Sequence, residues 1–88
     1  TGESAPNLIP VLETLAEIEE VMGDFAMAKL HHERRLALAE QHFSADHPWK
    51  AAALTDLGWL NVEDGEVALG NQQLDQAIDI YTRAGSQR

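Results

Sequence analysis

Glu13, Glu17 and Glu20 recur about one helical turn apart. On a helix this spacing gathers three carboxylates in a row opposite a leucine stripe, while Trp59 sits off the line of Leu54 and Leu57. An acidic row with an aromatic suits a basic or amphipathic segment, because an arginine can pair with carboxylates and stack on indole. The competing reading is a solvated acidic face and a tryptophan partly buried in packing.

Four histidines, His31, His32, His42 and His47, raise the question of a metal. Helical metal motifs need ligands at i and i+3 or i+4, and these four offer no such pair. His32 therefore reads as a packed core histidine and His47 as a helix-start residue, with no metal and no cofactor expected. No glycine-rich phosphate loop, G-x-S-x-G elbow or paired nucleophile and base is present. The chain contains no cysteine, which excludes disulfides, thiolate metal sites and a cysteine nucleophile. No enzyme is expected.

The net charge of −9 argues against a nucleic-acid partner, since neutralising backbone phosphates takes lysine and arginine. The charge is unevenly spread: residues 1–24 and 51–82 hold acids and no bases, whereas Lys29, Arg34, Arg35 and Lys50 fall in the section between. Lys29, Arg34 and Arg35 with Glu33 form a basic cluster, expected on a solvated convex face or as a surface for the acidic face of another copy. With 44% hydrophobic and 24% charged residues the chain is expected to fold. No apolar run approaches a membrane span and no signal-like start is visible, so no membrane partner and a cytoplasmic location are expected. The chain starts at Thr1 rather than Met, which leaves room for a removed targeting segment.

The elements that must position these groups are helices. After a polar lead-in, Thr1 to Pro6, and a candidate cap at Asn7, the residues Leu8, Val11, Leu12, Leu15, Ile18 and Met22 recur at helical spacing. Gly23 ends that helix and Asp24 can cap the next, in a turn so short that the second helix must fold back antiparallel. Phe25, Ala28, His32, Leu36, Ala39 and Phe43 form its stripe, flanked by Leu30 and Leu38. Ser44 to Pro48 is the second break, with Asp46 a candidate cap and Pro48 in the next first turn. Ala51, Leu54, Leu57 and Leu60 or Asn61 line the third helix, and Val67, Gly70, Leu74, Ala77, Ile78 and Tyr81 the fourth. No segment alternates with period two. The expectation is an all-α chain of four helices at about 8–22, 24–43, 47–63 and 66–84.

A shift of 42 residues aligns the two halves without a gap: Pro6 on Pro48, Leu12 on Leu54, Leu15 on Leu57, Gly23 on Gly65, Leu36 on Ile78 and Leu38 on Ile80. Small residues also correspond, Ala16 with Gly58 and Ala28 with Gly70, so paired helices can approach closely. The pattern Leu-x-x-Leu-Ala (Leu12 to Ala16) or Leu-x-x-Leu-Gly (Leu54 to Gly58), then Gly23 or Gly65, then Ala28 or Gly70, resembles the tetratricopeptide repeat. The stretch from Glu33 to Ala51, ERRLALAEQHFSADHPWKA, is similar to the inter-repeat segment of the longer, kinesin-light-chain type. The sequence departs from that pattern at His32 and Arg35, where the family prefers an aromatic and an alanine, and at Glu19 and Asn61, where a tyrosine is usual.

The resemblance implies one domain over residues 1–88, with repeat 1 at about 5–46, repeat 2 at about 47–84 and a polar tail at 85–88, folded as two stacked antiparallel helix hairpins of an α-solenoid. It implies a non-catalytic scaffold for proteins or peptides, whose groove positions fall on Pro10, Glu13, Glu17, Glu20 and Val21 and on Ala52, Thr55, Trp59, Val62 and Glu63. A ligand's C-terminal carboxylate would be repelled by Glu13, Glu17 and Asp56. Within Glu33 to Ala51, Leu36 and Phe43 are expected to meet Ala51 and Leu54. Solenoids usually need about three repeats, and each large apolar side chain left in water forfeits roughly 1.5–3 kcal/mol. The chain is therefore expected to be a fragment of a longer array, or a structural segment that forms a homo-oligomer through the exposed terminal helix carrying Val67, Leu74, Ile78 and Tyr81.

Overall fold

Two glycines set the chain reversals. Gly23 and Gly65 hold φ of 82° and 90°, the left-handed region that a side chain disfavours. Each closes its helix with the same pair of backbone bonds: Gly23 N to Glu20 O and Asp24 N to Glu19 O, and 42 residues on, Gly65 N to Val62 O and Glu66 N to Asn61 O. The computed structural model describes residues 5–86, in which four helices follow: α1 Leu8–Met22, α2 Phe25–His42, α3 Pro48–Glu63 and α4 Val67–Ser86. The expected boundaries hold to within a cap residue, except that α4 runs on through Gly85 and Ser86, where a polar tail was expected. The tail's last two residues, like the first four of the lead-in, lie outside the described residues.

The helices form two hairpins, α1 with α2 and α3 with α4, joined by packing of α2 on α3. The Cα trace measures 38 × 35 × 17 Å. Its thin dimension is that of two helix layers, given axes about 8–10 Å apart and a Cα radius of about 2.3 Å. The cores repeat as the sequence does. Ile9, Leu12, Leu38 and Ala39 make one cluster; Ala51, Leu54, Ala77 and Ile80 make its counterpart, and Leu36 packs against the latter from the first hairpin. Ala16, Ala28 and Leu60 form a third cluster between the hairpins. In the second hairpin the helices cross at glycines: a Cβ on Gly70 would lie 2.6 Å from the Gly58 carbonyl oxygen and 2.9 Å from the Val62 amide nitrogen.

Several side chains depart from their expected places. On α1 the buried line is Ile9, Leu12 and Ala16, so of the predicted stripe Val11, Leu15, Ile18 and Met22 are exposed. The periodicity was genuine, but α2 covers only one flank of that apolar surface. On α2, Phe25 and Leu30 are exposed while Arg35 is buried, so the expected basic cluster does not exist as a unit. Phe43 packs with Ile9, Leu12 and Leu38 of the first hairpin rather than with Ala51 and Leu54, which leaves Leu36 as the expected link to the second.

At the joint, His47 rather than Asp46 caps α3, its Nδ1 accepting from the Trp49 amide at 3.1 Å. Its ring stacks on Phe43 with centroids 4.3 Å apart, and Trp49 meets Phe43 edge-on at 5.4 Å. Asp46 instead accepts from Arg83 Nε at 2.9 Å, tying the inter-hairpin turn to the end of α4. That hydrogen bond, aided by the charges of Asp46 and Asp79 and opposed by desolvation, raises the Arg83 pKa above its ordinary value. Asn7 precedes α1 as expected but makes no side-chain capping bond.

Candidate functional site

The polar residues that broke the sequence pattern are the ones α2 sends between its neighbours. Arg35 is 1% exposed and His32 0%, the two largest fully buried side chains among the described residues. Arg35 donates from Nη2 to Glu13 Oε2 at 2.8 Å, and from Nη1 to Asp56 Oδ2 at 2.7 Å and to His32 Nδ1 at 2.8 Å. A guanidinium has no acceptor, so His32 Nδ1 must present its lone pair to Arg35. The proton is then on Nε2, which donates to Glu20 Oε2 at 3.1 Å. One cation from α2 thus binds α1 and α3 together through carboxylates that keep 44% and 40% of their side-chain surface in water.

A second polar layer repeats with the fold. Glu19 Oε1 and His31 Nδ1 lie 2.6 Å apart in the first hairpin, and Asn61 Nδ2 donates to Gln73 Oε1 at 2.7 Å in the second. The two pairs are related by the 42-residue shift, so the polar residues found where a tyrosine is usual form a bond of their own in each hairpin. The partners 12 residues away were not visible from spacing along one helix. Two buried polar atoms, Arg35 Nε and Asn61 Oδ1, have no partner among the described residues.

The groove positions read from the sequence are distributed as follows. Glu13 is bonded to Arg35 and Glu20 to His32, so two of the three carboxylates of the acidic row already have internal partners. Glu17 is exposed beside Thr14 and Ile18 on a shallow groove of about 250 Å³ along α1. Trp59 is 56% exposed, a degree of burial that fits both an accessible indole and a tryptophan partly buried in packing. The Thr55 hydroxyl donates to the Ala51 carbonyl at 2.8 Å, within its own helix. Val62 is half-buried, with a methyl against the α3–α4 crossing at Gly70. Glu63 lines a cavity of about 150 Å³ with Phe25, Leu60 and Asp64, next to a larger one of about 530 Å³ that Lys29 and Leu30 border.

Because Glu13 and Asp56 reach one guanidinium, they mark a common face of α1 and α3. Arg35 reaches this face from behind but is buried under the carboxylates it serves, so it offers no donor fork to a ligand's carboxylate. Sequence reasoning named Glu13 and Asp56 as acids and missed their partner. The signal was there: Arg35 occupies the repeat position of Ala77 and His32 that of Leu74, a cation and a histidine at two core positions of one hairpin.

Among the described residues no group of histidine and acidic side chains is arranged to hold a metal ion, and no helix is long and apolar enough to cross a membrane. The family model described as Tetratricopeptide repeat matches residues 7–83. A search of curated proteins gave no match. Proteins of this family are in general non-catalytic scaffolds for protein–protein interaction. Four helices in two glycine-closed hairpins, a 42-residue register carried into the core and a family match over nearly the whole chain agree, and the chain belongs to the tetratricopeptide-repeat family.

Proposed function

We propose that the α1/α3 face is a groove that binds a basic or amphipathic segment of a partner protein, anchored by Trp59 and steered by Glu17, Glu63 and the outer oxygens of Glu13 and Asp56. The observation that carries this reading is the burial of Arg35: the cation that reaches the face is enclosed and bonded to two carboxylates, so the side chains bonded to it that meet solvent are acidic, and Trp59 is exposed on the same helix as Asp56. An exposed indole beside carboxylates accepts an arginine both by ion pairing and by stacking. The role is one of binding without catalysis and needs no cofactor. Thr55 and Val62 support the face through helix α3, Thr55 by bonding its backbone and Val62 by packing at Gly70.

Backbone and indole chemical shifts report the occupied face directly. Titration with an arginine-rich amphipathic peptide is expected to move the Trp59 indole signal and the amides around Glu17 and Glu63, with affinity falling as salt screens the charges. A glutamate-rich peptide of the same length is expected to move none of them. Shifts confined to α4, or equal responses to both peptides, would contradict the reading.

A further inference from the structure

The 42-residue register makes the joint between the hairpins a template for what each end of the slab lacks. In α3, the stripe of Ala53, Leu57 and Leu60 is 1%, 2% and 5% exposed, and Leu60 packs on Ala16 and Ala28 of the first hairpin. Its repeat counterparts on α1, Val11, Leu15 and Ile18, are 52%, 41% and 50% exposed. On the other side of the joint, Leu36 of α2 lies against the core cluster of the second hairpin. Its counterpart on α4, Ile78, is 61% exposed, with Tyr81 exposed one turn further on. The α1 end thus presents the surface that α2 covers inside the molecule, and the α4 end presents the surface that does the covering.

We propose that copies of this chain stack head to tail, the outer face of α4 in one copy packing on the outer face of α1 in the next, in continuation of the α2–α3 joint. A second copy is the occupant because each end has the shape and chemistry that the internal joint pairs with the other. The charged residue at the joint does not stand in the way: the counterparts of Arg35 and Asp56 are Ala77 and Thr14, so the intermolecular joint has no cation in need of a carboxylate. The interface is heterologous, so it leaves an open end on every assembly and extends without closing into a dimer. The rims of both faces are acidic, with Glu17 on α1 and Asp75 on α4, both exposed. Repulsion between them opposes stacking, and added salt strengthens it. The two proposals share Glu17 at the rim of the α1 face, but Trp59 on α3 lies on neither outer face, so loss of peptide binding in Trp59→Ala and loss of stacking in Ile78→Asp are read separately.

Sedimentation of the full chain tests the stacking. From about 5 µM to about 1 mM the average mass is expected to climb from 9.7 kDa past two chains without a plateau, and to rise further between about 0.05 and 0.5 M salt. Ile18→Asp breaks one end and Ile78→Asp the other; both residues are exposed, so circular dichroism is expected to stay that of the parent. Each variant alone is expected to remain a monomer, because every contact needs one face of each kind. An equimolar mixture of the two restores a single two-chain complex that grows no further. A parent chain that stays monomeric throughout would overturn the proposal and give these faces to a different occupant. Assembly lost in only one variant would also overturn it, since that is the mark of a symmetric pairing of like faces.

Discussion

Arg35 is the residue on which the first hairpin and the joint both depend. Removing one member of a buried ion pair costs about 3–5 kcal/mol when the other is left buried and charged. Here Glu13 and Asp56 are partly in water and can rehydrate, so the loss falls on packing and on the bond to His32. Arg35→Ala is therefore expected to lower unfolding free energy by roughly 2–4 kcal/mol in urea titrations. Glu13→Gln or Asp56→Asn is expected to cost less than about 1.5 kcal/mol each. Arg35→Lys should recover little, because a lysine cannot span acceptors on three helices in one plane. A loss under about 1 kcal/mol for Arg35→Ala would mean that the network is incidental to the fold. The sequence marked His32 and Arg35 as breaks in the repeat pattern and His32 as a core histidine, but it did not show what they bind. The partners of Arg35 lie 21 and 22 residues away on other helices, where no periodicity along one helix can join them.

At the scale of helices and turns the sequence was far more informative, because the causes are local. Gly23 and Gly65 stop helices by their own backbone freedom, Pro48 starts one, and the 42-residue correspondence places small residues at both hairpin crossings. The apolar stripe of α1 was read correctly as a helix, but periodicity identifies an apolar side without saying which neighbour covers it, and Val11, Leu15, Ile18 and Met22 are exposed. The crossing of α3 and α4 gives a sharp prediction. Alanine is intrinsically a better helix former than glycine by about 1 kcal/mol. At Gly70 the new methyl would meet backbone atoms that have no rotamer to move, whereas at Gly58 its nearest neighbour is the Leu74 side chain. Gly70→Ala is expected to destabilise by roughly 1–3 kcal/mol net, and more than Gly58→Ala, as read from the shift in denaturation midpoint. A neutral or stabilising Gly70→Ala would mean that the helices can separate at no cost.

For the molecule as a whole, the 42-residue repeat has two separate consequences. The joint, continued outward, asks for further copies of itself, while the α1/α3 face carries the groups that vary between the repeats, Glu17 at the position of Trp59 and Glu13 at that of Thr55. The stacking residues follow from helix periodicity and were readable; the partner-selecting residues follow no period, and the structure was needed to find which acids were already paired. Under the two proposals the charge of −9 acts in opposite senses, favouring a basic partner and opposing self-stacking at low salt. The most direct measurement of the central claim is calorimetric titration of an arginine-rich amphipathic peptide into the parent chain and into Glu17→Lys combined with Trp59→Ala. The reading predicts at least about tenfold weaker binding in the double variant, about 1.4 kcal/mol or more, with helicity unchanged. Equal affinity in the two proteins, or a double variant that alters only assembly, would contradict it.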